Sequence, residues 1–192
     1  MKEQKKKNWL LMAFLVFIMI GTSFSVLLFG FQPATESIRY NGQKFDFVPK
    51  DNLWVSKISG KTAVFSFQPK DVLNINFSED VSSMMQNRLE IDATYDEDDS
   101  FREPIALAQH QMALTLENYN VYLRRGFTSN NTFNLPVITC ADATQNVPVI
   151  YFRNGTSTRI YREENCIIAE AKSEIDALRI KDRLLYAYFG IK

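Results

Sequence analysis

LEIDATYDEDDSFREPIALAQHQMALTLENYNVYLRR, residues 89–125, changes its rhythm twice. Leu89 to Tyr95 reads as a strand and is followed by an acidic loop. From about Pro104 to Asn118, Ile105, Ala108, Met112 and Leu116 recur at helical spacing and predict the buried stripe of a helix. Pro104 suits the first helical turn, and the acids before it favour the positive end of the helix dipole. Tyr119 to Arg124 then reads as a strand again. Strand, helix, strand is a crossover unit, right-handed if the two strands pair in parallel.

On the N-terminal side lie two hairpin signatures. Ile38-Arg39-Tyr40 and Gln43 to Phe47 flank Asn41-Gly42, a dipeptide that supplies the two positive φ values of a type I′ turn. Leu53 to Ile58 and Lys61 to Phe67 flank Ser59-Gly60, which sets Val55 opposite Val64 and Trp54 opposite Phe65. Pro69 ends that strand, and Val72 to Phe77 offers another. On the C-terminal side, Leu135–Thr139, Val147–Arg153, Thr158–Tyr161 and Cys166–Ala171 are strand-like, with Asn154-Gly155 placed as a hairpin turn. A final helix starts at Ser173-Glu174-Ile175-Asp176, close to a capping box but with aspartate in the fourth place, and stops at Gly190. Its polar face carries Asp176, Arg179 and Arg183; Leu178, Ile180, Leu184 and Leu185 are expected on the sheet. The fold class is α+β: a mixed sheet with β-hairpins and two main helices.

Ahead of this domain runs WLLMAFLVFIMIGTSFSVLLFGF, residues 9–31, without one ionisable side chain. About 20 such residues span a bilayer core as a helix. Lys2, Lys5, Lys6 and Lys7 precede it and resist translocation, so the N-terminus is expected in the cytoplasm. The division is then a basic tail (1–8), a transmembrane helix (9–31) whose partner is the lipid bilayer, a linker (32–37) and an extracytoplasmic domain (38–192). The competing reading is a cleaved signal peptide, with Ser23 and Ser25 as the small residues before the cut, but Val26-Leu27-Leu28-Phe29 prolongs the apolar run beyond need. Gly21 and Ser25 have the spacing of helix-pairing motifs. The tail nets +3 on a chain with no formal net charge, leaving −3 for the rest, which argues against a nucleic-acid partner.

Cys140 and Cys166 are the only cysteines, and both fall in the domain expected outside, where a pair usually bonds. A structural disulfide is the expectation; buried free thiols and a redox or nucleophilic role are the alternatives, although redox pairs typically sit two residues apart at a helix start. His110, the only histidine, has no nucleophile elbow to serve. Asp96, Asp98 and Asp99 are calcium candidates, but Phe101 stands where an EF-hand needs glycine and Leu107 where it needs glutamate. A solvated loop leading into the helix is the plainer reading. No pattern asks for a cofactor. Asn76, Asn130 and Asn154 open N-x-Ser/Thr sequons and are glycosylation candidates, with Asn130 in the most open composition.

Taken together, the anchor and the segments YNGQKF, LPVITCADAT, NVPVIYFRNG and NCIIAEAKSEIDALRIKDRLLYAYFGI resemble uncharacterised membrane-anchored extracytoplasmic proteins of archaeal type. The resemblance implies no activity; it implies that Cys140 and Cys166 belong to one structural block. The functional expectation is a tethered binding or assembly subunit with an envelope protein as partner, working through sheet edges or loops. An extracytoplasmic enzyme with an unfamiliar site, or a thiol-disulfide protein, stands behind it.

Overall fold

The computed structural model describes residues 36–191. The tail, the expected transmembrane helix and all but the end of the linker lie outside the described residues. Among the described residues, no helix is long and apolar enough to cross a membrane.

Both N-terminal hairpins form as the turn chemistry demands. β1 (Ser37–Tyr40) and β2 (Gln43–Val48) join through Asn41 and Gly42, at φ 47° and 79°. β3 (Leu53–Ile58) and β4 (Lys61–Phe65) join through Ser59 and Gly60, at φ 49° and 80°. Val55 faces Val64 and Trp54 faces Phe65, the expected register. The four strands make an antiparallel sheet in chain order.

The remaining strands build a second sheet, where the sequence had implied one. A short helix α1 (Pro69–Val72) and the two-residue strand β5 (Asn76–Phe77) replace the strand expected over 72–77, because Pro69 favours a helical first turn. Then come α2 (Glu79–Met85), β6 (Glu90–Tyr95), α3 (Arg102–Glu117) and β7 (Tyr122–Phe127). Next are β8 (Val149–Asn154), β9 (Arg159–Glu163), β10 (Cys166–Ala171) and α4 (Glu174–Tyr188). The sheet order is β5-β9-β10-β8-β6-β7. The crossover is as expected, β6 and β7 being parallel, and Ile105, Ala108, Met112 and Leu116 are all buried. β7 begins three residues later than expected. Beyond the end of the helix the chain turns through Asn120 at φ 60°, and the Val121 N–H closes back on the Leu116 carbonyl at 3.1 Å.

Asn154-Gly155 is not a hairpin turn. β8 and β9 do not pair with each other; β10 lies between them, parallel to β8 and antiparallel to β9. Gly155 is needed there for close approach, since a Cβ on it would lie 2.1 Å from Cγ of Glu170. The 135–139 stretch contributes only a parallel bridge between Val137 and Phe127, made by the Phe127 N–H to Pro136 and the Ile138 N–H to Phe127. Gly126 permits it: a Cβ there would sit 2.4 Å from the Pro136 carbonyl oxygen.

α3 and α4 pack on one face of the six-stranded sheet, and the four-stranded sheet covers their far side. Phe65 stacks on Tyr186 of α4 at 4.4 Å, Phe45 meets both rings edge-on, and the Tyr186 hydroxyl donates to the Phe67 carbonyl. Burying Phe45 and Phe65 stabilises the fold by roughly 1.5–3 kcal/mol each. Packing on both sides alters the expected polar face of α4. Asp176 is buried and accepts from Thr158, Ser173 and Arg179, so Ser173 bonds this carboxylate instead of a backbone N–H. Lys181 and Asp182 are buried as well, which the amphipathic reading did not foresee.

Candidate functional site

The face of the six-stranded sheet away from the helices carries a polar half and an apolar half. In the polar half, Glu170 of β10 lies between Arg153 of β8 and Arg159 of β9, at 3.4 and 2.9 Å. The Arg159 guanidinium rests over the Tyr161 ring, and Arg153 donates to the Tyr161 hydroxyl at 2.7 Å. Burial pushes the Glu170 carboxyl up, but its bonds to Arg159 and Arg153 outweigh that and hold it below its usual range. Asp176 behaves alike: burial raises it, and Ser173, Thr158 and Arg179 bring it down further. A carboxyl with a depressed folded pKa stabilises fully above its unfolded value and loses that contribution as the pH falls through the folded one. Urea midpoints are therefore expected to hold above about pH 5 and to decline below it, less steeply for Arg159→Gln. Equal acid slopes for the two proteins would show that this network does not govern the decline.

In the apolar half, Ile138, Val149, Cys166 and Ile168 form a small second core. Cys140 and Cys166 are bonded, with α-carbons 5.2 Å apart. The bridge fastens the long 128–148 connection to the centre of the sheet. Cys140 opens a one-turn 3-10 helix, Cys140–Asp142, capped by reciprocal bonds between Thr139 and Asp142.

The other candidate residues are spread over separate places. Asp96 accepts the Asp98 N–H, and Asp99 accepts the N–H groups of Phe101 and Asn154 through different oxygens, so these acids shape the loop. Among the described residues, no three His, Cys, Asp or Glu side chains are grouped to hold a metal ion. His110 is exposed on α3, across the sheet from the disulfide. Asn76, Asn130 and Asn154 are all exposed, and the Asn154 amide donates to Ser100.

The feature that sequence reading missed is the outer edge of β7. The Tyr122 N–H donates to Leu89 and the Thr128 N–H to Tyr95, so the even-numbered residues of β7 face β6. Leu123, Arg125 and Phe127 direct their N–H and C=O groups outward. Those of Phe127 are taken by Pro136 and Ile138; among the described residues, those of Leu123 and Arg125 pair with nothing. Alongside runs a groove of about 590 Å³, walled by Ala113 and Glu117 of α3, residues 121–125, and Leu135 with Pro136. Leu135 also lines a second hollow of about 650 Å³, between the start of α3 and the rings of Tyr95, Phe127 and Phe133. Tyr122, Phe133, Leu135 and Val137 are 63, 66, 42 and 46% exposed, an apolar rim too continuous to count as scattered surface residues.

Charge along this edge is uneven. Arg124 grips buried Asp92 through two bonds of 2.7 and 2.5 Å, which hold its guanidinium more firmly protonated. Arg125 is exposed and makes no ion pair among the described residues. The signal available in the sequence was indirect: β7 ends a crossover and is followed by some twenty residues without regular strand, a length that usually carries function. No family model, curated protein or solved structure matches the chain.

Proposed function

We propose that the chain is a single-pass membrane protein with its N-terminus in the cytoplasm and residues 38–192 outside, serving as a binding or assembly subunit of the cell envelope. The anchor reading rests on the apolar run 9–31 behind four lysines, and the disulfide suits an oxidising compartment. The binding reading rests on one observation: a groove rimmed by exposed apolar side chains lies along a strand edge whose outward hydrogen-bonding groups are unpaired. Proteins that do not use such edges cover or charge them, and an edge left open is a template for another chain.

The test joins topology to contact. Protease added to intact cells is expected to remove the folded domain and leave the lysine tail. A photo-crosslinking amino acid at Tyr122 is expected to give a discrete protein adduct in cells, and none at Lys57, exposed on the four-stranded sheet. Protection of the domain sinks the topology, and matching crosslink patterns at the two positions sink the binding edge.

A further inference from the structure

The geometry points to the chemistry of the occupant: an extended peptide segment of a partner protein, added as a strand to β7 and carrying an acidic side chain opposite Arg125. The inference rests on the binding reading above and goes on to name what is bound.

A strand is the ligand that matches this edge. Leu123 and Arg125 each offer a donor and an acceptor directed into the groove, two residues apart, the repeat of an extended chain. Strand addition draws its affinity from such main-chain bonds and its selectivity from alternate side chains. The protein already does this once with its own chain, since Val137 adds to β7 at Phe127. The groove lies beside residues 121–125, upstream of that bridge. Side chains of the incoming segment would alternate between the wall of Ala113 and Glu117 and the rim of Tyr122 and Leu135.

Charge selects among strands. Arg124 is satisfied by Asp92, while Arg125 stands exposed at the edge without an acidic partner among the described residues. An acid on the peptide would supply it. The same charges disfavour a second copy of this chain. Antiparallel pairing of β7 with itself through Leu123 and Arg125 would set Arg124 directly opposite Arg124, and like charges in directly opposed positions are destabilising.

The experiment uses the full-length protein in nanodiscs and fluorescent peptides of about eight residues that alternate valine and threonine, with one glutamate stepped through successive positions. At the best position, the glutamate peptide is expected to bind at least about tenfold tighter than its lysine counterpart. N-methylation of the peptide amides facing β7 abolishes binding, and Arg125→Glu reverses the charge preference. Reversal is a gain for the lysine peptide, so a misfolded variant cannot imitate it. Absence of binding by every peptide, indifference to N-methylation, or a preference unchanged in Arg125→Glu overturns the inference, as does dimerisation through β7 seen by light scattering. If the Tyr122 crosslink forms in cells while the peptides fail, the binding edge stands and the peptide chemistry falls.

Discussion

Lys181→Met is expected to cost about 3–5 kcal/mol of folding stability, more than any surface change on this protein. Lys181 and Asp182 are adjacent on α4, 1 and 0% exposed, and in direct contact. The Asp182 carboxylate also accepts the N–H groups of Ser66 and Phe67, both at 2.8 Å, and Lys181 donates to the Ser66 hydroxyl at 3.2 Å. Removing the lysine leaves a buried carboxylate with two backbone donors and no counter-charge. Burial already pushes the Asp182 carboxyl up against the pull of Lys181 and those donors. In the variant the group takes up a proton more readily still. A carboxyl with a raised folded pKa destabilises least below its unfolded value and most as the pH rises through the folded one, so the deficit should be small near pH 4 and full at pH 7. Adding Asp182→Asn should recover part of the loss, because an amide oxygen still accepts from Ser66 and Phe67 without a charge. The measurement is denaturant unfolding of the full-length protein at both pH values. A loss under about 1 kcal/mol at pH 7 would show that water reaches the pair.

Opening the disulfide is the second large effect. Cys140 and Cys166 are 26 residues apart, and closing a loop of that size removes enough freedom from the unfolded chain to stabilise the fold by roughly 3 kcal/mol in the chain-entropy treatment. Replacing both by alanine is expected to lower the unfolding midpoint, corresponding to a loss of about 2–5 kcal/mol in the free energy of unfolding. Unreduced, denatured protein should show no thiol that reacts with a maleimide. A second consequence separates packing from chain entropy. The bridge holds the connection that supplies Leu135 and Pro136 to the groove, so the doubly substituted protein should also weaken partner capture at the Tyr122 crosslink. A variant with wild-type stability would mean that the Ile138 contacts alone secure the connection, and that the bond serves some other end.

Local chemistry was readable and long-range pairing was not. Both hairpin turns and the register of the second were legible because Asn41-Gly42 and Ser59-Gly60 fix the geometry over a few positions, although β4 stops at Phe65, two residues short of the expected Phe67. The stripe on α3 was legible because that helix keeps an exposed side, where His110 and Leu114 lie. α4 was half legible, since a helix covered on both sides has no solvent face to betray its orientation, and no spacing marks Lys181 as buried. Asn154-Gly155 misled because the same dipeptide serves a tight turn or a tight approach, and only Glu170 of a later strand decides between them. The open edge of β7 was illegible for a related reason. Which strand is last in a sheet depends on every other pairing, and β7 is an edge because β8 took the other side of β6.

The order β9-β10-β8 also sets a timetable. The strand at the middle of the sheet is synthesised after every other strand among the described residues. Until Cys166–Ala171 has emerged, β9 has no route to β8, the α4 layer is missing, and Cys140 has no partner. A chain delivered in order therefore has its hairpins made and its sheet unjoined until Cys166–Ala171 arrives. Topology thus reads out the progress of synthesis: a chain stopped before Cys166 lacks the one strand that joins β9 to β8, and stays open to any protease that meets it.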